Sequence, residues 1–547
     1  MQRISSACLL FLLAIIACCS TASAQQAPIA SPVRSADAVC ANCHREIFEK
    51  YLTTPMANAS GQASEKFQTG TLNHKPSGVT YQLFIRDGQP TLSIQSQRST
   101  YANQEHQLDY FFGSGHLGIT YLYSIHGYIF ESPVAYYAAS HSYDMKPGLE
   151  AVSAMPPALP MKSSCLRCHM SDVQQSDPGT INHYSGLPFL HGGITCEACH
   201  GDTQRHASTG GKASVVNPAK LDADRRDSIC ISCHLEGDIS VEHANHSAID
   251  YKPGESISDY LSFFVYEGKE ATRRGVSEVE QLSMSKCKRT SGDKMSCASC
   301  HDPHYTPTAQ ERTAFYRSKC LTCHSDATFS ASHHPENPDC TSCHMPRSGA
   351  ENIPHVAWTD HRIRKIPDSG DSIKDLGEGE TLTAIFSPRT TKRDLALAYY
   401  NAVLQGNFAL EQKAYQALEE IRPEIAGDKE ALNALGIMSE KRSDLKQATE
   451  LFNQVLKLEP QNLIALSNLG TIRAKSGDLQ TAIALWRPAF QHNEDVVGLA
   501  KNLAQVQCMT GDPASARDTL QRTLQYSPDL EDVRQMMAQL PSCSAPK

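Results

Sequence analysis

The sequence predicts a mainly α protein in two halves. The front half is made of short helices and loops packed around covalently held groups, with one small β-rich insertion, and an α-solenoid follows it. Three observations predict this. Seven copies of Cys-x-x-Cys-His lie between Cys40 and His344, and none lies beyond. A 34-residue period begins near Thr391, after those motifs stop. Between residues 76 and 145, where no copy occurs, apolar and polar residues alternate.

Cys-x-x-Cys-His is the covalent attachment signature of c-type haem. The two cysteines take up the haem vinyl groups as thioethers, and the adjacent His becomes the proximal iron ligand. The attachment pairs are Cys40/Cys43, Cys165/Cys168, Cys196/Cys199, Cys230/Cys233, Cys297/Cys300, Cys320/Cys323 and Cys340/Cys343. The proximal ligands are then His44, His169, His200, His234, His301, His324 and His344, for seven haems. Random order at this composition gives roughly 0.03 such matches. Structural zinc also uses Cys-x-x-Cys pairs, but zinc does not explain a His directly after every pair. The last three motifs fall within Cys297–His344, so the bound groups must themselves supply much of the core there.

Met1 to Ala24 reads as a signal peptide, with Arg3, an apolar run from Leu9 to Ile16, and Ala22-Ser23-Ala24 as the cleavage site. The apolar run is short for a membrane span. Ile15-Ile16-Ala17-Cys18 also resembles a lipobox, so a lipid anchor on Cys18 at the outer membrane or surface stays open beside a periplasmic location. Of 20 cysteines, those outside motifs and signal are Cys287, Cys508 and Cys543. A Cys508–Cys543 disulfide suits an oxidising compartment. Net charge is 50 − 59 = −9 with no basic run, which argues against nucleic acid as a partner.

In order, 25–36 is read as a linker, 37–365 as the seven-haem domain, 366–390 as a second linker and 391–540 as the repeats. In the insertion, Val79, Tyr81, Leu83 and Ile85, then Leu92 and Ile94, flank Arg86-Asp87-Gly88-Gln89 and predict a hairpin. Later motifs are 31, 34, 67, 23 and 20 residues apart, and the longest gap holds an apolar strand or helix at Tyr260–Tyr266. From Thr391, Leu435-Gly436, Ala448, Phe452 and Pro460 fit the tetratricopeptide pattern. So do Leu469-Gly470, Ala482 and Trp486, and then Leu503-Ala504, Ala516, Leu520 and Pro528. With a degenerate unit at 392–425, this predicts about four helix pairs.

The segments Gly113-Ser114-Gly115-His116, His191 through Gly201, Cys297 through His304, and Ile353-Pro354-His355 with Thr359-Asp360-His361-Arg362-Ile363 resemble multihaem cytochromes of the c-552/4 type. They do so especially for bacterial members fused to tetratricopeptide repeats. The resemblance spans about 36–365. It implies low-spin haems with two axial ligands and a respiratory electron-transfer role, and fixes no substrate. Under it, the distal-ligand candidates are His116, His191, His206, His304, His333, His334, His355 and His361. His304 lies too near His301 to reach the far face of the same haem, so it must serve a neighbour. Met56 is either a packing residue or an axial ligand of a haem at higher potential. Cys287, between Lys286 and Lys288, is either a free thiol or an axial thiolate. His74, His106, His126, His141, His183, His243, His246 and His492 are expected to be bystanders.

Three functions follow as expectations. The first is an exported electron carrier whose repeats dock a redox partner protein. The second is a multihaem reductase of a small nitrogen or sulfur compound, which needs an open iron position; Cys-x-x-Cys-Lys, a mark of such haems, does not occur. The third is a repeat-based scaffold of a redox complex. The balance leans to a carrier rather than a catalyst.

Overall fold

A computed structural model describes residues 31–97, 103–156, 158–267, 275–325, 333, 336–350, 353–365 and 381–543. The expected signal peptide, Cys18 and His334 lie outside these. The chain is mainly α, with sheets confined to the front half and its junction with the solenoid.

The predicted hairpin forms from Val79–Arg86 and Gln89–Ser96, with Asp87 and Gly88 at positive φ (50° and 79°) in the turn. It sits inside a four-stranded meander with Gly70–His74 and Gln104–Gln107. Tyr81, Leu83, Leu92 and Ile94 all turn inward and are buried, as their period of two requires. They meet a seven-stranded sheet built on Gly118–Ile125, and the shared core includes Tyr121, Phe130 and Val134.

Strand structure begins earlier than the alternation suggests. Ser60–Gln62 already pairs with Tyr110–Phe112. Those three residues are small or polar and carry no pattern. The Phe111 ring closes over Gly61, where a β-carbon would lie 2.6 Å from it.

Both expected linkers also contain paired strand. Ser31–Pro32 runs parallel to His191–Gly192. Leu382–Ile385 adds an edge to a sheet with Ile239–Glu242 and Leu261–Tyr266. The apolar stretch in the longest gap is therefore a strand, buried along most of its length. A strand completed by a chain partner more than 100 residues away leaves no local periodicity to read.

The solenoid has four helix pairs: Lys392–Leu404 with Glu411–Ile421, Lys429–Lys441 with Leu445–Leu458, Leu463–Lys475 with Leu479–Gln491, and Val497–Met509 with Pro513–Thr523. Glu531–Gln539 follows as a closing helix. Ala448, Ala482 and Ala516 are fully buried where paired helices touch. Gly436 lets the Phe452 ring against its backbone: a β-carbon there would stand 2.7 Å from that ring. Asp444, Asp478 and Asp512 cap the second helix of successive pairs by accepting from the amides of Gln447, Thr481 and Ser515. Cys508 and Cys543 form a disulfide that ties the chain end to the last pair.

The two halves are fastened together at both ends of the solenoid. At the near end, Arg393 donates to the carbonyl of Glu242 and pairs with Asp428 at 2.6 Å, while Asp394, almost fully buried, faces His243 at 3.5 Å. At the far end, Tyr128 Oη donates to His492 O at 2.9 Å and Asn493 Nδ2 to Gly179 O at 2.8 Å. Tyr526, 3% exposed, belongs to the core of the β-rich region, with its ring 5.2 Å from that of Tyr128.

Candidate functional site

Each motif is one tight turn. The His amide donates to the carbonyl of the first Cys at His44 (2.8 Å), His200 (2.9 Å), His301 (2.9 Å) and His324 (3.0 Å). Residues i, i+3 and i+4 of a helical turn share a face, so both sulfurs and the imidazole point the same way. His234 ends the helix Ala223–His234, started by Asp222 as N-cap, and Cys340–His344 is a helical turn capped by Asp339.

The motif cysteines differ in exposure in the polypeptide itself. Cys43, Cys165, Cys323 and Cys343 are exposed, and the other ten are half-buried. Cys43, Cys323 and Cys343 are each the second cysteine of their motif, and in these three motifs the first, at Cys40, Cys320 and Cys340, is the half-buried one. Cys43 lies early in the helix Ala41–Tyr51, beside exposed Asn42 and His44. Cys343 lies in a turn where Ser342 is also exposed, its Oγ 3.8 Å from the Cys343 sulfur.

The donor set fits two-imidazole ligation. Imidazole–metal bonds of roughly 2.0 Å, with about 1.1 Å from nitrogen to ring centre, put two trans rings at about 6.2 Å between centres. Four pairs meet this spacing with nearly parallel planes. His44 and His206 lie 6.4 Å apart at 14°, and His200 and His304 lie 6.0 Å apart at 13°. His301 and His361 lie 6.2 Å apart at 26°, and His333 and His344 lie 5.9 Å apart at 19°.

In each pair the other nitrogen of one ring is held by backbone. Nδ1 of His200, His206, His344 and His361 bonds the carbonyls of Val216 (2.9 Å), Ala213 (2.8 Å), Arg364 (2.6 Å) and Thr359 (2.8 Å). An Nδ1–H bound to a carbonyl sets the tautomer and leaves Nε2 as the ligand atom. Burial pulls His169 and His301 down to about 4, so both rings are neutral at pH 7, as ligation requires.

The remaining candidates are placed differently. His355 Nε2 meets the Asp144 carboxylate at 2.7 Å. His191 Nε2 lies 3.5 Å from Asp172. His116 is exposed in the Gly113–Gly118 loop. Met56 packs with Tyr51 and Ala57, and its carbonyl accepts from Ile194 N. Cys287 is half-buried in the helix Lys286–Ser291. Of the expected bystanders, His74 bonds Ser77 and Glu150 O, His106 bonds Gln104, His183 bonds Asp177, and His243 bonds Ser262 and Asp259 O.

Sequence reasoning missed how the motifs meet. Cysteines of different motifs adjoin one another: Cys40 and Cys196, Cys168 and Cys233, Cys230 and Cys297, and Cys320 and Cys340. Asp37 joins the first of these, its carboxylate and both sulfurs lying within 4.8 Å of one another. Motif order along the chain carries no signal of this.

Parts of the chain match known families. A model described as cytochrome c554 and c-prime matches residues 135–201, one described as a doubled CXXCH motif matches 290–329, and one described as a tetratricopeptide repeat matches 473–540. The curated multiheme cytochrome MtrA of Shewanella baltica is 23% identical over 180 residues, which are 30% of this chain and 52% of that protein. The chain thus spans about half the length of the curated relative it matches. MamA from Desulfovibrio magneticus RS-1 is 18% identical, with 28% of this chain and 85% of that chain covered at a TM-score of 0.25. A Pseudomonas aeruginosa pilF structure is 21% identical, with 28% and 70% covered at a TM-score of 0.25.

Proposed function

We propose that this multihaem c-type cytochrome with C-terminal tetratricopeptide repeats is an exported electron carrier holding seven haems. The observation that carries the reading is the four near-parallel imidazole pairs at 5.9–6.4 Å. In this reading His206, His304, His361 and His333 are the sixth ligands opposite His44, His200, His301 and His344. Haem c supplies one-electron exchange between iron(III) and iron(II). The chain's own residues supply spacing, ligation and burial, which set the potentials.

The adjoining cysteines support an order of attachment sites. Numbered along the sequence, site 1 adjoins 3, site 2 adjoins 4, site 4 adjoins 5, and site 6 adjoins 7. The sites then fall in the runs 1–3, 2–4–5 and 6–7. His304, which follows motif 5 yet faces the ring of motif 3, links the first two runs.

Location in the periplasm, or on a lipid anchor at Cys18, rests on the N-terminal signal pattern; no helix of the described residues is long and apolar enough to cross a membrane. Docking of a redox partner protein by the repeats is supported by exposed Leu404 and Phe408, 62% and 66% accessible at the corner of the first helix pair.

Stopped-flow reduction and EPR of the purified holoprotein test the reading. Carriage predicts low-spin ferric haems that equilibrate in under a second. A strong high-spin ferric signal that a small nitrogen or sulfur compound abolishes would instead favour the reductase.

A further inference from the structure

Two of the sulfur junctions carry opposite charge. In the junction of motifs 1 and 3, Asp37 is 3% exposed and its carboxylate accepts from Cys196 N at 2.9 Å. Burial raises its carboxyl above the ordinary value, the hydrogen bond from Cys196 opposes that rise, Glu197 adds to it and His191 opposes it. Glu197 itself is held by Thr203, whose amide and hydroxyl donate at 3.0 and 2.7 Å.

In the junction of motifs 2 and 4 the charge is positive. Arg167, the residue before Cys168, is half-buried and donates through Nη1 to the carbonyl of Ser232 in motif 4. The Cys233 sulfur lies 4.0 Å from the Arg167 carbonyl oxygen. Arg167 acts on the sulfurs of Cys168 and Cys233 alike, and Glu236 opposes it at Cys168 more weakly. Among the fourteen residues between motif cysteines, Arg167 is the one cation and Glu197 the one acid. A charged residue at this position has access to solvent in an isolated motif. Here Arg167 is turned into a contact between two motifs, while Glu197 is held by Thr203 just after its own motif.

Reduction adds one negative charge at the iron. A nearby cation stabilises the reduced form and raises its potential, and a nearby carboxylate lowers it. Partial burial strengthens both effects by lowering the effective dielectric. We propose that Asp37 and Arg167 are potential-setting residues of opposite sign, holding the haems of motifs 1 and 3 low and those of motifs 2 and 4 high, so that electrons run from the first pair to the second. The proposal rests on the electron-carrier reading above.

The test is a spectroelectrochemical titration, followed by EPR, of full-length holoprotein and three variants. Arg167→Gln is expected to lower two midpoint potentials by about 59 mV each, a tenfold change in a one-electron equilibrium, and to leave the others in place. Arg167→Lys is expected to restore them, which a purely structural role for the guanidinium would not predict. Asp37→Asn is expected to raise two different midpoints by a similar amount. Unchanged midpoints, shifts of the same sign in both neutral variants, or a Lys variant that behaves like Gln would overturn the proposal. If one neutral variant fails to take up haem, the other decides alone. Haem count and spin state of the parent protein judge the carrier reading separately, since they do not depend on the sign of any shift.

Discussion

His200 and His304 face each other across 6.0 Å with planes 13° from parallel, although more than 100 residues separate them. His200 belongs to motif 3, and His304 follows motif 5 by three residues. One iron between them would cross-link two distant parts of the chain.

His304→Ala should therefore leave all seven attachments intact and change one haem from low-spin to high-spin. Its Soret band and EPR signal report this, and the affected haem should be that of Cys196/Cys199. Imidazole added to the buffer should restore the low-spin signal. An unaltered spectrum would remove His304 from the ligand set.

His361 and His355 separate ligation from scaffolding. His361 lies 6.2 Å from His301, whereas His355 is engaged with Asp144. His361→Ala should convert one haem to high-spin. His355→Ala should change no haem spectrum and cost at most about 1 kcal/mol through the lost surface hydrogen bond. Magnetic circular dichroism and thermal melts of the two variants read both effects.

Removing everything after about residue 380 would not release a self-sufficient cytochrome. It deletes the strand Leu382–Ile385 and withdraws Tyr526 from the β-rich core. The truncated chain should aggregate or melt well below the parent. Tyr526→Ala alone should cost about 3–5 kcal/mol by the cavity it leaves, read as a lowered urea midpoint. Full stability after either change would mean that the repeats only sit beside the front half.

Asp495 sets a pH dependence at the same contact. Burial pushes its carboxyl up to about 6 against an ordinary 3.8, and one oxygen is buried with no hydrogen-bond partner among the described residues. The folded state thus binds this proton more tightly than the unfolded state. Its stabilising share is complete below about pH 4 and is lost as pH rises through about 6. Asp495→Asn should stabilise the protein at pH 7.5 by on the order of 2 kcal/mol and by clearly less at pH 4.5. Urea melts at the two pH values check the sign, and an equal effect at both would count against it.

The sequence resolved what depends on local spacing. Cys-x-x-Cys-His is complete within five residues, so the proximal ligands needed no fold. The 34-residue repeat was legible in Leu435-Gly436, Ala448 and Phe452 because each helix pair buries the same positions against the next. Asp444, Asp478 and Asp512, with Gly477 and Gly511 at φ of 87° and 81°, repeat at the same interval and would have sharpened it. The hairpin at 79–96 was equally local, since strand alternation and its turn lie side by side in the chain.

What spacing did not reveal was partnership. Before the fold, His355 and His361 looked equivalent, as did His116 and His206. Only the folded chain brings His361 and His206 to a facing imidazole while it gives His355 a carboxylate and leaves His116 exposed. The meeting of motif 1 with 3 and of motif 2 with 4, and the charges Asp37 and Arg167 at those junctions, likewise arise from packing. The sequence alone carried the haem attachment signature and its positions, because that pattern needs only neighbouring residues. Tertiary structure decided which imidazole faces which, which motifs adjoin, and that the repeats are bound to the front half, because each depends on groups brought together from distant parts of the chain.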